Sequence, residues 1–287
     1  MLPRAVSTQS GYCTGQYLWE GEESMTATTT QTIGYDAVGD GEPAVLMLPG
    51  WCGDRVVFDE LLALLAPHRL AIAADLPEQG TSVRTGDDFD TGTVVDEMVA
   101  LIEAIGTPRV VPVALAHAGW VAIELRRRLG PERIPAIVLL DWMVLGPPPG
   151  FTDALAGLQQ EHAWEQVRAA LFAMWTSGVD VPELHNYVAS MGDYDFAHWR
   201  RAGREIAAAF AREGSPLAAL EQLNESCPTL HVYAQPADDG FLVAQQAYAA
   251  SHDWFRVHRL DALSHFPMFE VPGEMVRVIE EFVCSNG

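Results

Sequence analysis

The chain has 287 residues, 49% of them apolar and 20% charged, a balance ordinary for a globular protein with a substantial buried core. It carries 17 basic side chains, all Arg, against 39 Asp and Glu, for a net charge of −22. A surface that acidic repels phosphate backbones and anionic lipid, which argues against nucleic acid and membrane as partners, and no apolar run is long enough to cross a bilayer.

Residues 1–24 lack the apolar stretch of a secretory signal and read as a disordered N-terminal extension. Cys13, Cys52, Cys227 and Cys284 lie far apart, with no C-x-x-C and no metal-like spacing. They read as reduced thiols of a cytoplasmic protein with no metal site. From Met25 onward, β-rich runs alternate with helical ones. AVLML (44–48) is followed by a helix over 55–66, LAIAAD (70–75) by 91–106, and VVPVAL (110–115) by 118–129. AIVLL (136–140) then leads into an entirely helical segment, 151–224, which opens after the turn GPPPG. TLHVYA (229–234), a helix over 240–251, WFRVHRL (254–260) and a helix over 274–284 close the chain. Such alternation predicts an α/β fold: a mostly parallel sheet flanked by helices, formed by 25–150 and 225–287, with a helical cap inserted at 151–224.

Function in such a sheet belongs on the loops at the carboxyl ends of the strands. After 44–48 comes LPGWCGD, where Gly50 permits a tight turn that aims the Trp51 amide into a cavity. After 110–115 comes LAHAGW, which has the strand, small residues and apolar helix of the G-x-S-x-G elbow that presents a nucleophile. Its central residue is Ala116, a methyl group that can attack nothing. Asp141 follows 136–140, and His265 follows the last strand in LSHFP. Histidine is the side chain suited to general-base work near neutral pH, and a carboxylate behind it fixes its tautomer. Asp141 competes for that place with Asp238 and Asp239 of QPADDG, where a hydrolase usually carries its acid. Trp51, Trp120, Trp142 and Trp175 also have a simpler reading as packing residues, His117 as a helix cap, and Cys52 as a buried thiol.

LPGWC, HAGWV with PV upstream, GPER, DWM, LFAMW, GR.I, GSP, QP, and HFP followed by VP run in order from about residue 44 to 272. In these segments the chain resembles the cofactor-independent 3-hydroxy-4(1H)-quinolone 2,4-dioxygenases of the α/β-hydrolase fold. The resemblance implies a His–Asp pair, here His265 and Asp141, that removes the proton of a substrate 3-hydroxyl. The resulting anion reacts directly with O2, carbon monoxide leaves, and an N-acylanthranilate remains; no metal or organic cofactor takes part. It also implies that the Trp51 and His117 amides form an oxyanion hole and that Trp175 lines the substrate cavity.

Two positions depart from the family. Its elbow reads His-Ser-His where this chain has Leu115-Ala116-His117, and a histidine expected two residues after Trp51 is Gly53. Loss of the serine hydroxyl removes a hydrogen bond but not the base, an effect of about tenfold. The less polar pocket suits a 2-alkyl-3-hydroxy-4-quinolone, or a lyase, cyclase or isomerase that also begins with proton abstraction. Ala116 by itself also fits a non-catalytic binding protein. A serine hydrolase needs a nucleophile that neither Ser264 nor Ser82 is placed to supply.

Overall fold

Parallel strands buried on both faces require nearly unbroken apolar runs, and this chain has them. The computed structural model describes residues 32–287; the extension expected at 1–24 lies outside them. Within it, β2 (Ala44–Leu48), β3 (Ala71–Ala74), β4 (Val110–Leu115), β5 (Ile137–Leu140) and β6 (Thr229–Tyr233) are buried at every residue. β7 (Phe255–Arg259) is a half-exposed edge strand. At the opposite edge, β1 (Tyr35–Val38) runs antiparallel to β3. The sheet order is β1-β3-β2-β4-β5-β6-β7, and all the other pairings are parallel.

Each parallel crossover needs a helix. α1 (Asp59–Leu65), α2 (Thr91–Ile105) and α3 (Gly119–Arg133) serve the first half of the sheet, α9 (Asp239–Ala249) joins β6 to β7, and α10 (Pro272–Asn286) follows β7. Local chemistry sets their ends. The Asp90 side chain accepts from the Thr93 amide to start α2, which stops at Gly106 with φ 76°. α3 breaks its helical geometry at Gly130, before Pro131, so its regular part ends where the sequence predicts. Pro112 is tolerated inside central β4 because the β5 ladder begins only at Val113.

Between β5 and β6 lie α4 (Phe151–Leu158), α5 (Trp164–Trp175), α6 (Pro182–Ser190), α7 (Phe196–Glu213) and α8 (Pro216–Glu221), all within the segment expected to be helical. Gly203 lets α7 cross α4 closely, since a β-carbon there would sit 2.8 Å from the Leu155 carbonyl oxygen. Arg201 and Arg204 of α7 both bond Asp88, in the loop after β3. These contacts hold the helices over the carboxyl ends of the strands.

Candidate active site

The carboxyl ends of β2, β4, β5 and β6, with the loop after β7, surround a cavity of about 1040 Å³ roofed by residues of α4, α5, α6 and α7. Its lining is mostly apolar. The eight residues assigned to the base, the oxyanion hole, the substrate cavity and the departures from the family all reach it: His265, Asp141, Trp51, His117, Ala116, Leu115, Gly53 and Trp175. Trp120, Cys52, Asp238 and Asp239 do not. Among the described residues, no three His, Cys, Asp or Glu side chains are grouped so that they could hold a metal ion.

His265 and Asp141 are bonded directly. His265 Nδ1 lies 2.9 Å from Asp141 Oδ1, and the Asp141 side chain is 1% exposed against 15% for His265. The other carboxylate oxygen accepts from the amides of Ala234 at 2.7 Å and Gln235 at 3.1 Å. A carboxylate only accepts, so the bridging proton sits on Nδ1 and Nε2 keeps its lone pair. The Trp175 indole stacks on the His265 ring, with centroids 5.2 Å apart and planes 21° apart. That face favours the imidazolium a base would become. The competing carboxylates are spent elsewhere. Asp238 accepts from the Gly240 amide as the cap of α9, and Asp239 pairs with Arg259 at 2.7 Å.

The elbow keeps its backbone without its serine. Ala116 has φ 49°, Asp141 φ 44° and Cys52 φ 60°, a left-handed region that costs an L-residue roughly 1–2 kcal/mol. Three such residues stand at the ends of β4, β5 and β2, where tight reversals point the next groups into the cavity. Glu78, in the loop after β3, shares this conformation with φ 65°. The His117 amide lies in the first turn after the elbow, where amides have no partner within the helix. Cys52 itself is a fully buried thiol outside the cavity lining, and burial drives its pKa well up.

A second polar chain stands behind these residues. Trp142 Nε1 donates to His117 Nδ1 at 3.0 Å. The Trp142 amide donates to His231 Nε2 at 3.2 Å, and His231 Nδ1 donates to Gln245 Oε1 at 2.5 Å. Burial pushes the His231 pKa down from 6.5 to about 4, and that of His117 to about 3. A depressed histidine is neutral in the fold but takes a proton in the unfolded chain. Stability is therefore full above pH 6.5 and falls as the pH drops toward 4, by up to about 3 kcal/mol from His231 alone. Denaturant unfolding at pH 7 and pH 4.5 is expected to show this slope, reduced in His231→Gln. Equal pH dependence of the two proteins would contradict it.

Tyr187, Gln235 and Glu270 also hold the site, and sequence reasoning gave them no role. A β-carbon on Gly53 would come within 2.5 Å of the Tyr187 hydroxyl. That hydroxyl is fixed between the Asp54 amide at 3.2 Å and the Asp54 carbonyl at 3.3 Å. A tyrosine from α6 thus fills the space beside Gly53, and a larger side chain there would have to displace it. Gln235 Nε2 donates to the carbonyls of Met174 at 3.2 Å and Leu263 at 2.7 Å, tying the end of α5 to the base loop. The His265 amide adds a bond to the Trp175 carbonyl at 2.9 Å. Glu270 accepts from the Ser264 amide at 2.8 Å and its hydroxyl at 2.6 Å. QP and HFP…VP were the sequence signals around Gln235 and Glu270, and Tyr187 had none.

With this geometry in place, the relatives become informative. Residues 45–278 match the alpha/beta hydrolase family model. A 2-heptyl-3-hydroxy-4-quinolone dioxygenase of Rhodococcus erythropolis is 34% identical over 269 residues, covering 91% of this chain and 100% of the relative. The 1H-3-hydroxy-4-oxoquinoline 2,4-dioxygenase of Pseudomonas putida is 32% identical over 251 residues, covering 87% and 95%. This chain belongs to the 3-hydroxy-4-quinolone 2,4-dioxygenases of the α/β-hydrolase fold. Similarity within the dioxygenase family extends to three dimensions. A structure of a variant enzyme that cleaves the Pseudomonas quinolone signal, in complex with its substrate, matches with a TM-score of 0.84 at 29% identity, covering 88% of this chain and 96% of that one.

Proposed function

We propose that the protein is a ring-cleaving dioxygenase acting on a 3-hydroxy-4(1H)-quinolone with a 2-alkyl substituent, without metal or organic cofactor. The observation that carries this reading is the His265–Asp141 pair beside an elbow whose central residue is Ala116. An alanine forms no acyl-enzyme, so the base acts on the ligand itself.

His265 Nε2 takes the proton of the 3-hydroxyl, and Asp141 holds the tautomer and the imidazolium that results. The amides of Trp51 and His117 serve as preorganised donors to a ligand oxygen as charge spreads over the ring. O2 adds to the electron-rich anion, and the two oxygen atoms close across C2 and C4. Carbon monoxide then leaves with C3 and the hydroxyl oxygen, and an N-acylanthranilate remains. Trp175 and the α4–α8 helices act as the cap that covers the ligand. The apolar cavity and the 2-heptyl substrates named for relatives support an alkyl tail. The free thiols of Cys52, Cys227 and Cys284 support the cytoplasmic setting expected from the sequence. No helix among the described residues is long and apolar enough to cross a membrane.

The test is incubation with 3-hydroxy-4-quinolones of increasing 2-alkyl length, first without and then with oxygen. Substrate is expected to persist anaerobically and to be consumed on admitting O2, at a rate unchanged by chelators. Consumption without O2, or activity that tracks bound iron, would overturn the reading.

A further inference from the structure

Two histidines line this cavity, and their hydrogen bonds fix them in opposite tautomers. On His265 the proton sits at Nδ1, facing Asp141. On His117, Nδ1 is the atom that meets the Trp142 indole nitrogen, at 3.0 Å. An indole N–H can only donate, so His117 Nδ1 must be an acceptor and the ring proton must sit on Nε2. The ring stays neutral, because burial and then the neighbouring His265 push its pKa down to about 3. His117 is therefore a donor where His265 is an acceptor.

Packing fixes the direction of that donor. The His117 ring stacks on Phe151, centroids 5.5 Å and planes 21° apart, and meets the edge of Phe210 at 5.7 Å. Trp142 is 2% exposed, lies edge-on to Trp120 at 4.8 Å, and is tied to His231 through its own amide. The indole has no room to turn away from His117. No protein acceptor meets His117 Nε2 among the described contacts, and the residue lines the cavity.

We propose that the His117 side chain is a ligand-binding residue whose Nε2–H donates to the 4-oxo oxygen of the bound quinolone, with Trp142 as the positioning residue that imposes its tautomer. The assignment rests on the functional reading above. When His265 removes the 3-hydroxyl proton, charge spreads from the 3-oxide onto C2. The adjacent 4-oxo oxygen, already the acceptor end of the ring's vinylogous amide, loses the hydrogen bond the 3-hydroxyl could give it and becomes the stronger acceptor. A neutral donor next to the base strengthens its hydrogen bond to that oxygen as the 3-oxide forms and holds no charge of its own to oppose the imidazolium. It also sets specificity: a ligand without an oxygen there leaves the imidazole N–H unpaired.

Glutamine places its amide nitrogen near the position of Nε2, and asparagine near that of Nδ1. His117→Gln is expected to stay within about threefold of wild type, while His117→Asn and His117→Leu raise KM for a 3-hydroxy-4-quinolone about tenfold or more. Inhibition by 3-hydroxyquinoline, which lacks the 4-oxo oxygen, should be nearly the same for wild type and His117→Leu. A readout that needs no substrate is imidazole ¹⁵N NMR of the free protein. His117 is expected to be protonated at Nε2 only, and Trp142→Phe to release that restriction. Wild-type turnover with equal effects of the Gln and Asn variants, or an Nδ1-protonated His117, overturns this assignment alone. Absence of turnover by the wild-type protein overturns the functional reading and this assignment with it.

Discussion

Replacing His265 by alanine is expected to lower turnover of a 3-hydroxy-4-quinolone by roughly 10²-fold or more, the scale of general-base loss. Asp141→Asn should do similar damage, for a reason visible in the hydrogen bonds. The outer oxygen of Asp141 accepts from two backbone amides, of Ala234 and Gln235. An asparagine must keep its carbonyl oxygen there, which turns its NH2 group toward His265. That donor faces Nδ1, drives the ring proton to Nε2, and removes the lone pair the base needs. Asp238→Asn changes only the cap of α9 and should leave turnover within about twofold, as expected for a group with no part in proton transfer. Steady-state rates of the three variants decide it. Greater damage at Asp238 than at Asp141 would place the acid in the usual hydrolase position.

A large effect on stability is expected at Gly119. Its φ is −54°, so the glycine is there for space and not for conformational freedom. A β-carbon would lie 2.2 Å from Cζ3 and 2.4 Å from Cε3 of Trp142. The indole cannot retreat, because it is buried edge-on against Trp120. Overpacking of this kind costs about 1–3 kcal/mol, which for a chain of this size lowers Tm by roughly 5 °C. Gly119→Ala should also displace Trp142 and so loosen His117 and Asp141 on either side of it. Gly273→Ala, at an open position, is the control and should melt like wild type. Equal melting of the two variants would show that the elbow helix and Trp142 have room to adjust.

The fold was legible where burial is two-sided. AVLML, VVPVAL and AIVLL are apolar throughout because both faces of those strands are covered, and they are β2, β4 and β5. β1 was not placed, since YDAV is a half-exposed antiparallel edge with little pattern of its own. The residues at the strand ends could be read because topology alone brings Trp51, Ala116, Asp141 and His265 to one side of the sheet. The resemblance, not spacing, favoured Asp141 over Asp238. The supports were not legible. Tyr187 beside Gly53, Gln235 between Met174 and Leu263, and the Trp142 bond to His117 join side chains from separate elements. No local pattern encodes the direction of those groups. The tautomer of His117 is a still finer consequence of which of two ring nitrogens meets an indole.

The central claim is that a base acting on the ligand, with no acyl-enzyme, delivers both atoms of one O2 to the product. Turnover of a 2-alkyl-3-hydroxy-4-quinolone under ¹⁸O2 tests it directly by mass spectrometry of the products. The account predicts an N-acylanthranilate with two heavy oxygens, one in the carboxylate and one in the amide carbonyl, and unlabelled carbon monoxide. A product carrying oxygen from water in place of either label, or no carbon monoxide, would contradict it.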